Sequence, residues 1–262
     1  MGSIKPKLYR ASLAAVFLIG LTTAPSAMAA ETIVMSYNAD WPPYSFGAGA
    51  QTNGILPELM EEILSQRMGL KVRNVSYPWK RVQSSVKSGT VDAMVTVPTK
   101  ARLNYTRSSQ GIVYQLNMVL AVAATGAARQ NLMADPAAST LSRYRVCDIL
   151  GNGWGKRFFA TNNIKPIIAT KVVSCLRMTA KGRTDATLQA EAVLRRAISA
   201  SQLENRLAVI PKPMGTMDFT LLLSKKSAFN AAFIQRFDAE LAIMKADGSY
   251  AALVQRLRKG QP

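Results

Sequence analysis

The apolar positions between residues 32 and 97 alternate between strand-like runs and helical stripes. Residues 32–37 and 70–75 form short β-rich runs, and residues 91–97 form a third. Apolar residues recur at helical spacing from residue 55 to residue 68, and again between the second and third runs. This β-α-β-α-β order predicts a parallel sheet with helices on its faces.

The second half of the chain repeats this alternation after a long extended stretch. Residues 112–124 are apolar and long enough to leave one lobe and enter another. Strands are predicted at 144–150 and 164–173, each followed by a helix, and strands at 208–213 and 219–223 lead back to the first unit. The pattern predicts an α/β protein of two lobes, each a mainly parallel sheet flanked by helices.

The N-terminal segment has the features of a secretory signal peptide. Three basic residues precede an apolar run at residues 11–21, and Ala27-Met28-Ala29 forms a small-x-small cleavage site. The run is too short for a membrane span, and no later segment reaches about 18 apolar residues. We therefore predict export to the periplasm. The predicted parts are a signal peptide at residues 1–29, lobe 1 at residues 30–116 and 217–262, and lobe 2 at residues 117–216.

The balance of charged residues narrows the range of partners. The chain has 33 basic and 15 acidic residues, a net charge of +18. Removal of the signal peptide takes away Lys5, Lys7 and Arg10, which leaves 30 basic and 15 acidic residues and a net charge of +15. The basic residues are scattered and an exported chain rarely meets nucleic acid, so no nucleic-acid partner is expected. The excess suits an anionic lipid surface or an acidic ligand.

The absence of histidine and the presence of only two cysteines limit the chemistry available to this chain. It contains no histidine, which removes Ser-His-Asp and Cys-His catalysis and the commonest metal ligand. Two cysteines, Cys147 and Cys175, are too few for a Cys-rich zinc site. An even count in an exported protein favours a disulfide between them over two buried thiols. With no phosphate-binding loop or dinucleotide fingerprint, we expect no metal, no cofactor and no catalytic residue.

Aromatic and basic residues follow the predicted strands of lobe 1. Trp41 and Tyr44 flank two prolines in the loop after the first strand, Trp79 opens the second helix, and Arg102 follows the third strand. Ligands bind at the carboxyl ends of strands in such sheets, so these side chains are expected to share a crevice. Flat indoles and a forked guanidinium suit a small ligand with a planar or apolar part and a carboxylate. The alternative for each residue is packing alone.

Five short segments of the chain resemble the bacterial extracellular solute-binding proteins of the polar amino-acid type. They are PW-K-R, SGTVDA and TKAR between residues 77 and 109, the upstream TIVMSYNADWPPYSF and the downstream ADGSYAALVQRL. The resemblance covers nearly the whole chain after the signal peptide and implies a type II periplasmic binding protein fold. It also implies that Trp41 and Trp79 sandwich the ligand side chain and that Arg102 holds its carboxylate. Further contacts that it implies are Thr96, Thr99, Gly151 and Asn152.

One position departs from the pattern of that family. Members that bind α-amino acids place an acidic residue shortly after a G-x-x-D-A motif, where it holds the amino group. Here Asp185 belongs to the motif, the expected position five residues later is Ala190, and Glu191 follows it. Glu191 is therefore a candidate for the amino group. If Glu191 does not reach the cleft, the ligand is expected to lack an α-amino group.

The resemblance implies a protein that binds a small carboxylate-bearing ligand, an amino acid or a related organic acid, between its lobes. Hinge closure through crossing segments near 116–122 and 214–220 then presents the ligand to a membrane permease, or to a sensor or chemoreceptor. A monomer that is not an enzyme is expected. The alternative is an exported enzyme on the same scaffold, such as a dehydratase of cyclic dienyl acids. That enzyme needs a carboxylate or a lysine inside the cleft, for which Glu191 is the candidate.

Overall fold

The computed structural model describes residues 1–3 and 31–260. Apart from its first three residues, the predicted signal peptide lies outside the described residues, so its cleavage and the export of the chain stay predictions. No helix within the described ranges is long and apolar enough to cross a membrane.

Strands and short helices alternate along the described chain, as the apolar pattern predicts. The strands are β1 (Thr32–Asn38), β2 (Asp40–Trp41), β3 (Ser45–Ala48), β4 (Gln51–Asn53), β5 (Lys71–Tyr77), β6 (Ala93–Thr96), β7 (Thr106–Ser108), β8 (Tyr114–Ala123), β9 (Val146–Ile149), β10 (Ile167–Ala169), β11 (Ala186–Ala190) and β12 (Leu207–Ser224). The helices are α1 (Ile55–Glu61), α2 (Trp79–Ser88), α3 (Lys100–Leu103), α4 (Ala127–Ala134), α5 (Ala138–Leu141), α6 (Gly153–Thr161), α7 (Val172–Ala180), α8 (Glu191–Ala200), α9 (Ala231–Ala246) and α10 (Ser249–Lys259). A π-helical segment, Glu62–Arg67, continues α1.

One curled sheet of nine strands runs through the described part of the molecule. Its order is β10-β9-β11-β8-β12-β6-β1-β5, and β7 also pairs with β12. In one half β1 runs parallel to β5 and β6, and in the other half β9 runs parallel to β10 and β11. These halves are lobe 1 and lobe 2, and the predicted fold class is confirmed. The residue boundaries of the lobes stay a prediction.

The antiparallel strands β8 and β12 join the two lobes. They pair over most of their length, with a register shift between Ile210 and Gly215. The predicted break after residue 213 is wrong, because the structure shows β12 as a single strand of 18 residues. Pro211 and Pro213 have no N–H to donate to a ladder, and both lie within the register shift, where no pairing is required of them. β8 and β12 therefore form an uninterrupted ribbon between the lobes.

Alternating side chains of β1 cover both faces of the lobe 1 sheet. Ile33 and Met35 pack into the main core with α1, α9 and α10, whereas Val34 packs beside α2 on the other face. Because helices cover both faces, the carboxyl ends of the parallel strands are where a crevice can form. Trp41 and Arg102 follow β1 and β6 at that edge.

The segment after β1, where the sequence predicts a loop that carries Trp41 and Tyr44, forms a small antiparallel sheet of β2, β3 and β4. Trp41 pairs with Ser45 in this sheet. At the turn between β3 and β4, Gly49 has a positive φ of 55°, a conformation that glycine adopts without strain. The small sheet fixes the backbone that carries Trp41.

A disulfide joins Cys147 of β9 to Cys175 of α7, with an S–S distance of 1.99 Å and a Cα–Cα distance of 5.5 Å. Both residues are fully buried in lobe 2. Such a crosslink stabilises a fold by roughly 3–4 kcal/mol, mainly because it restricts the unfolded chain. It ties α7 to the strand whose end leads into α6.

Candidate ligand-binding site

A cavity of about 80 Å³ lies between the lobes, at the carboxyl ends of β1 and β6. Residues of lobe 1, of lobe 2 and of the ribbon strand β12 line it. Most of the wall is apolar, and the lining residues include one arginine but no aspartate or glutamate. The volume admits several water-sized groups, so the cavity has room for a small polar headgroup.

Arg102 is the charged residue of this cavity and is only 5% exposed. Thr99 caps the N-terminus of α3 by accepting a hydrogen bond from the Arg102 backbone N–H, and this places the side chain beneath the end of β6. The Nη1 atom of Arg102 donates to the Val97 carbonyl at 2.9 Å and to Thr96 Oγ1 at 3.3 Å. Its Nε donates to Gln83 Oε1 at 3.3 Å. These contacts hold the guanidinium from one side.

The charge of Arg102 has no counterpart in the described part of the chain. No carboxylate of residues 31–260 forms a salt bridge with it, and its Nη2 donates no hydrogen bond there. Burial lowers the pKa of its guanidinium from the ordinary value. A buried cation surrounded by neutral partners is costly, and a bound anion removes that cost.

The N-terminus of α6 faces Arg102 from lobe 2. Asn152 caps this nine-residue helix, because its Oδ1 accepts from the Gly155 N–H at 3.0 Å. A Cβ on Gly153 would lie 3.4 Å from Arg102 Nη2 and 3.0 Å from the methyl group of Thr99. A side chain at this position would therefore be crowded, and glycine lets the helix end approach closely without displacing Thr99 or Arg102. The free N–H groups and the dipole of a helix N-terminus attract anions.

Two tryptophans of lobe 1 line the cavity from different loops. Trp79 donates from Nε1 to the Gly151 carbonyl at 3.1 Å and therefore bridges the lobes. The Arg102 guanidinium carbon lies 5.1 Å from the centre of the Trp79 ring, a cation–π distance. Trp41 stacks on Phe219 of β12, with ring centres 5.6 Å apart. The ring systems and the cation thus form one connected wall.

The structure brings most of the predicted site residues together. Those that line the cavity are Trp41, Trp79, Thr96, Arg102, Gly151 and Asn152. Tyr44 packs behind Trp41, with ring centres 4.8 Å apart, and does not line the cavity. Thr99 caps α3 and lines a wider outer groove of about 690 Å³ on the far side of Arg102. Their roles in binding stay predictions.

Glu191 lies away from the cavity that these residues form. It is the first residue of α8 and pairs with Arg195 at 2.8 Å. It lines a different groove, of about 600 Å³, together with Tyr44 and Tyr114. The strand register explains this position: Ala190 is fully buried in the main core, and the side chain that borders the cavity is that of Gln189.

Several lining residues escape the sequence-based selection. Ser36 and Tyr37 belong to β1, Trp154 to α6, and Gln189 to β11. Ser36 Oγ and Tyr37 Oη are buried and have no hydrogen-bond partner among residues 31–260, which is rare for buried hydroxyls. Burial, with a smaller contribution from Glu61, raises the pKa of the Tyr37 phenol. Trp154 lies in the glycine-rich stretch of residues 151–155 directly after β9, so its position after a strand was the available signal.

Asp148 is a buried acid just outside the cavity. It is the penultimate residue of β9, is 3% exposed and lines the outer groove. Its Oδ1 accepts from Asn152 Nδ2 at 2.8 Å. Burial raises the pKa of its carboxyl to about 6, although the hydrogen bonds from Asn152 and from the Ile149 backbone lower it. Asp148 is therefore hydrogen-bonded to Asn152, the residue that caps α6, and does not itself line the cavity.

Comparison of the chain with known proteins identifies one matching sequence family and solved structures that share its fold. The sequence pattern of the bacterial extracellular solute-binding proteins, family 3, matches residues 33–258. No curated protein matches the chain by sequence.

Solved structures with this fold include binding proteins and a sensor domain. A histidine kinase sensor domain with similarity to periplasmic binding proteins has a TM-score of 0.68 at 20% identity, over 87% of this chain and 96% of that one. A mutant of the arginine-binding protein from T. maritima has a TM-score of 0.67 at 17% identity, over 87% and 95%. An ancestral amino-acid-binding protein, a precursor of cyclohexadienyl dehydratase, has a TM-score of 0.65 at 18% identity, over 86% and 94%. At these identities the likeness shows the fold alone.

Proposed function

The chain belongs to the bacterial extracellular solute-binding proteins, family 3, and we propose that its cleft captures a small organic anion, a carboxylate, between the two lobes. One observation carries this proposal. Arg102 of lobe 1 and the N-terminus of α6 in lobe 2 meet at Gly153, and no aspartate or glutamate lines the cavity beside them. Two positive elements that share one small space suit one anionic group.

The rest of the wall suits an apolar or planar ligand body. Trp41, Trp79 and Trp154 line the cavity, and Met217 and Phe219 of β12 add apolar surface. Aromatic rings contribute large contact areas and lose little freedom on binding, because Trp41 and Trp154 are already stacked on Phe219 and Phe158. A ligand with one acidic end and one flat or apolar end uses both kinds of surface.

The contacts between the lobes support capture by closure. Trp79 of lobe 1 donates to Gly151 of lobe 2, and the exposed pair Asp40 and Lys171 lies 3.9 Å apart across the cleft. Lobe 1 and lobe 2 are otherwise joined through the ribbon of β8 and β12. We infer that this ribbon is the hinge, with lobe boundaries near residues 116 and 217. Bending it opens the cleft and admits the ligand.

A membrane partner completes the proposed role. The protein acts in the periplasm as a monomer and presents its ligand to a permease or to a sensor. Solute-binding proteins and a sensor domain both occur among the similar structures. The chain holds no energy-coupling motif of its own, so a partner must supply transport or signalling.

A matched ligand screen tests the anion site directly. Thermal unfolding is recorded with carboxylic acids and with the corresponding neutral amides, for example phenylacetate and phenylacetamide. A ligand at 100 times its Kd stabilises the protein by about 2.7 kcal/mol, which gives a clear shift in Tm. We expect shifts from acids and none from amides. Equal shifts from both members of the pairs, or no shift from any acid, would contradict the proposed function.

A dehydratase acting on cyclic dienyl acids is the second candidate function. Glu191, the acid that the sequence suggests for it, does not line the cavity. The observation that favours catalysis is instead Asp148, a carboxyl with a pKa of about 6 next to the cap of α6, because such values suit a general acid. Product formation from a cyclic dienyl acid that Asp148→Asn abolishes would establish this function, and absence of turnover would rule it out.

A further inference from the structure

We propose that the cavity selects organic acids that carry an oxygen acceptor beside the carboxylate, such as 2-oxo acids, over amino acids, and that Gln189 makes this selection. The inference rests on the proposed anion site. It extends that proposal by specifying the polar group that the ligand carries next to its carboxylate. It concerns a residue that the sequence pattern did not single out.

The hydrogen bonds of Gln189 fix which atom it offers to the cavity. Gln189 lies in β11, is 2% exposed and lines the cavity. Its side-chain Oε1 accepts from the Ala190 backbone N–H at 2.8 Å. A backbone N–H can be met only by the amide oxygen, so the amide nitrogen must point the other way. Within the described chain Nε2 has no acceptor, so the cavity receives a hydrogen-bond donor.

The other polar groups of the wall add to this donor character. Arg102 Nη2 is a donor without a described acceptor, and Thr96 Oγ1 accepts from Arg102 Nη1, which leaves its own hydrogen to donate. Ser36 Oγ is 1% exposed and has no partner among residues 31–260. A ligand atom with lone pairs satisfies all of these groups, whereas an ammonium, which has only donors, can satisfy hydroxyl oxygens but neither Gln189 Nε2 nor Arg102 Nη2.

Asp148 and Glu191 are not available to balance an ammonium in the cavity. Asp148 lines the outer groove and is hydrogen-bonded to Asn152, and Glu191 is paired with Arg195 in another groove. An ammonium placed in the cavity therefore has no protein carboxylate beside it and must share the carboxylate of its own ligand with the Arg102 guanidinium. Burying a cation that lacks a counter-charge of its own is unfavourable.

These observations together define the chemical class of the ligand. The carboxylate lies between Arg102 and the N-terminus of α6, and a neighbouring keto or hydroxyl oxygen accepts from Gln189 Nε2. The apolar remainder contacts the aromatic wall. An α-amino acid offers the same carboxylate, but its ammonium group would lie next to Gln189 Nε2. Both groups are hydrogen-bond donors, so they cannot bond to each other.

Calorimetric titration of the purified protein with matched pairs tests the class. The probes are phenylpyruvate against phenylalanine and 4-methyl-2-oxopentanoate against leucine, with 3-phenylpropionate as the acid that has no second polar group. We expect each 2-oxo acid to bind at least about tenfold more tightly than its amino acid, since one unsatisfied buried group costs about 1–3 kcal/mol.

Two variants of Gln189 assign the selection to this residue. Gln189→Glu keeps an oxygen for the Ala190 N–H and adds a negative charge, so the preference is expected to move towards the amino acids by at least about tenfold. Gln189→Leu removes the donor without adding charge, and phenylpyruvate is expected to lose its advantage over 3-phenylpropionate. Gln130→Glu makes the same charge change at an exposed position of α4 in lobe 2 and is expected to leave both preferences unchanged.

The outcomes separate this inference from the proposed function. If the unmodified protein binds amino acids as tightly as 2-oxo acids, the inference is overturned and the anion site remains. It is also overturned if folded Gln189→Glu keeps the full preference for 2-oxo acids over amino acids, or if folded Gln189→Leu keeps the full advantage of phenylpyruvate over 3-phenylpropionate. If no acid of either class binds, the proposed function fails with it. Thermal unfolding of each variant without ligand shows whether the lobe 2 fold is intact.

Discussion

Lobe 1 and lobe 2 contribute different chemistry to the same cavity. Lobe 1 supplies Arg102 and two tryptophans, and hydrogen bonds within lobe 1 hold the guanidinium in place. Lobe 2 supplies the glycine-rich start of α6 and the Gly151 carbonyl beside the side chains of Trp154 and Gln189, and its glycines let the backbone approach the side chains of lobe 1. From this difference we expect ligand binding to be sensitive to side-chain truncation in lobe 1 and to an added methyl group at the start of α6 in lobe 2.

The largest expected effect is in lobe 1, from Arg102→Ala. Loss of the guanidinium should weaken binding of a carboxylate by about 2–5 kcal/mol, because the anion then loses its charged partner. Unfolding of the ligand-free protein should be no easier, since a buried charge without a counter-charge is removed. Calorimetry measures the first quantity and thermal unfolding the second.

Arg107→Ala is the control for this prediction, because Arg107 is an exposed arginine of β7 in the same lobe. It should leave the affinity unchanged. Equal affinity of the Arg102→Ala and Arg107→Ala proteins would show that lobe 1 does not carry the anion contact.

The next effect concerns the stability of lobe 2 and its dependence on pH. Burial raises the pKa of Asp148 to about 6, so the folded state holds this proton more tightly than the unfolded chain. The stabilisation is present below the ordinary pKa of 3.8 and is lost as pH rises through about 6. Asp148→Asn stays neutral, and its advantage in unfolding free energy over the parent should grow by roughly 2–4 kcal/mol between pH 4 and pH 7.

Denaturant unfolding at several pH values measures this difference. Glu204→Gln, which alters an exposed glutamate between α8 and β12, is a control for the general effect of removing one negative charge. A constant difference between Asp148→Asn and the parent across the pH range would mean that folding does not shift the pKa of Asp148, and lobe 2 would not contain a destabilising acid.

Gly153→Ala tests whether lobe 2 depends on the absence of a side chain. The added methyl group would lie 3.0 Å from the Thr99 methyl and 3.4 Å from Arg102 Nη2, so the lobes must separate slightly. Overpacking of this kind costs about 1–3 kcal/mol, which should appear as weaker binding and not as a lower Tm of the open protein.

Gly260→Ala is the matched control, because its added methyl meets its nearest atom at an ordinary 3.6 Å. Calorimetry with the same acid compares the two variants. If Gly153→Ala binds as tightly as Gly260→Ala, the close approach of α6 to Arg102 is not needed for binding.

The smallest expected effect is on the contact between the lobes. Trp79→Phe keeps an aromatic ring beside Arg102 but loses the Nε1 hydrogen bond to Gly151, which should weaken ligand binding by about 0.5–1.5 kcal/mol. Trp41→Phe is the comparison, since the Trp41 indole N–H has no described partner and its loss should matter less. A larger loss from Trp41→Phe than from Trp79→Phe would contradict a role for Trp79 in holding the lobes together.

The apolar pattern predicted the elements of the fold because each depends on residues close in sequence. Strands at the start of the chain, the amphipathic helices between them and the return to lobe 1 all follow from local periodicity. Site residues that directly follow a strand or open a helix, such as Trp41, Trp79 and Arg102, were predictable for the same reason. They occupy the strand ends at which α/β sheets bind ligands, and the structure places them around one cavity.

Residues inside strands could not be assigned in this way. Ser36 and Gln189 are buried polar residues of β1 and β11, and periodicity gives only the face on which each lies. Glu191 was selected by its distance along the chain from Asp185. Neighbouring residues of a strand point to opposite faces, however, so Ala190 lies in the core while Gln189 lines the cavity.

The sequence by itself determined the alternating α/β framework, the binding family and the tryptophans and arginine at the strand ends. Only the tertiary structure decided that α6 meets Arg102, that Glu191 lies in another groove and that Gln189 offers a donor to the cavity. The physical reason is that local patterns specify which face of each element is buried. The cavity is formed where two lobes, whose residues are distant along the chain, pack against each other.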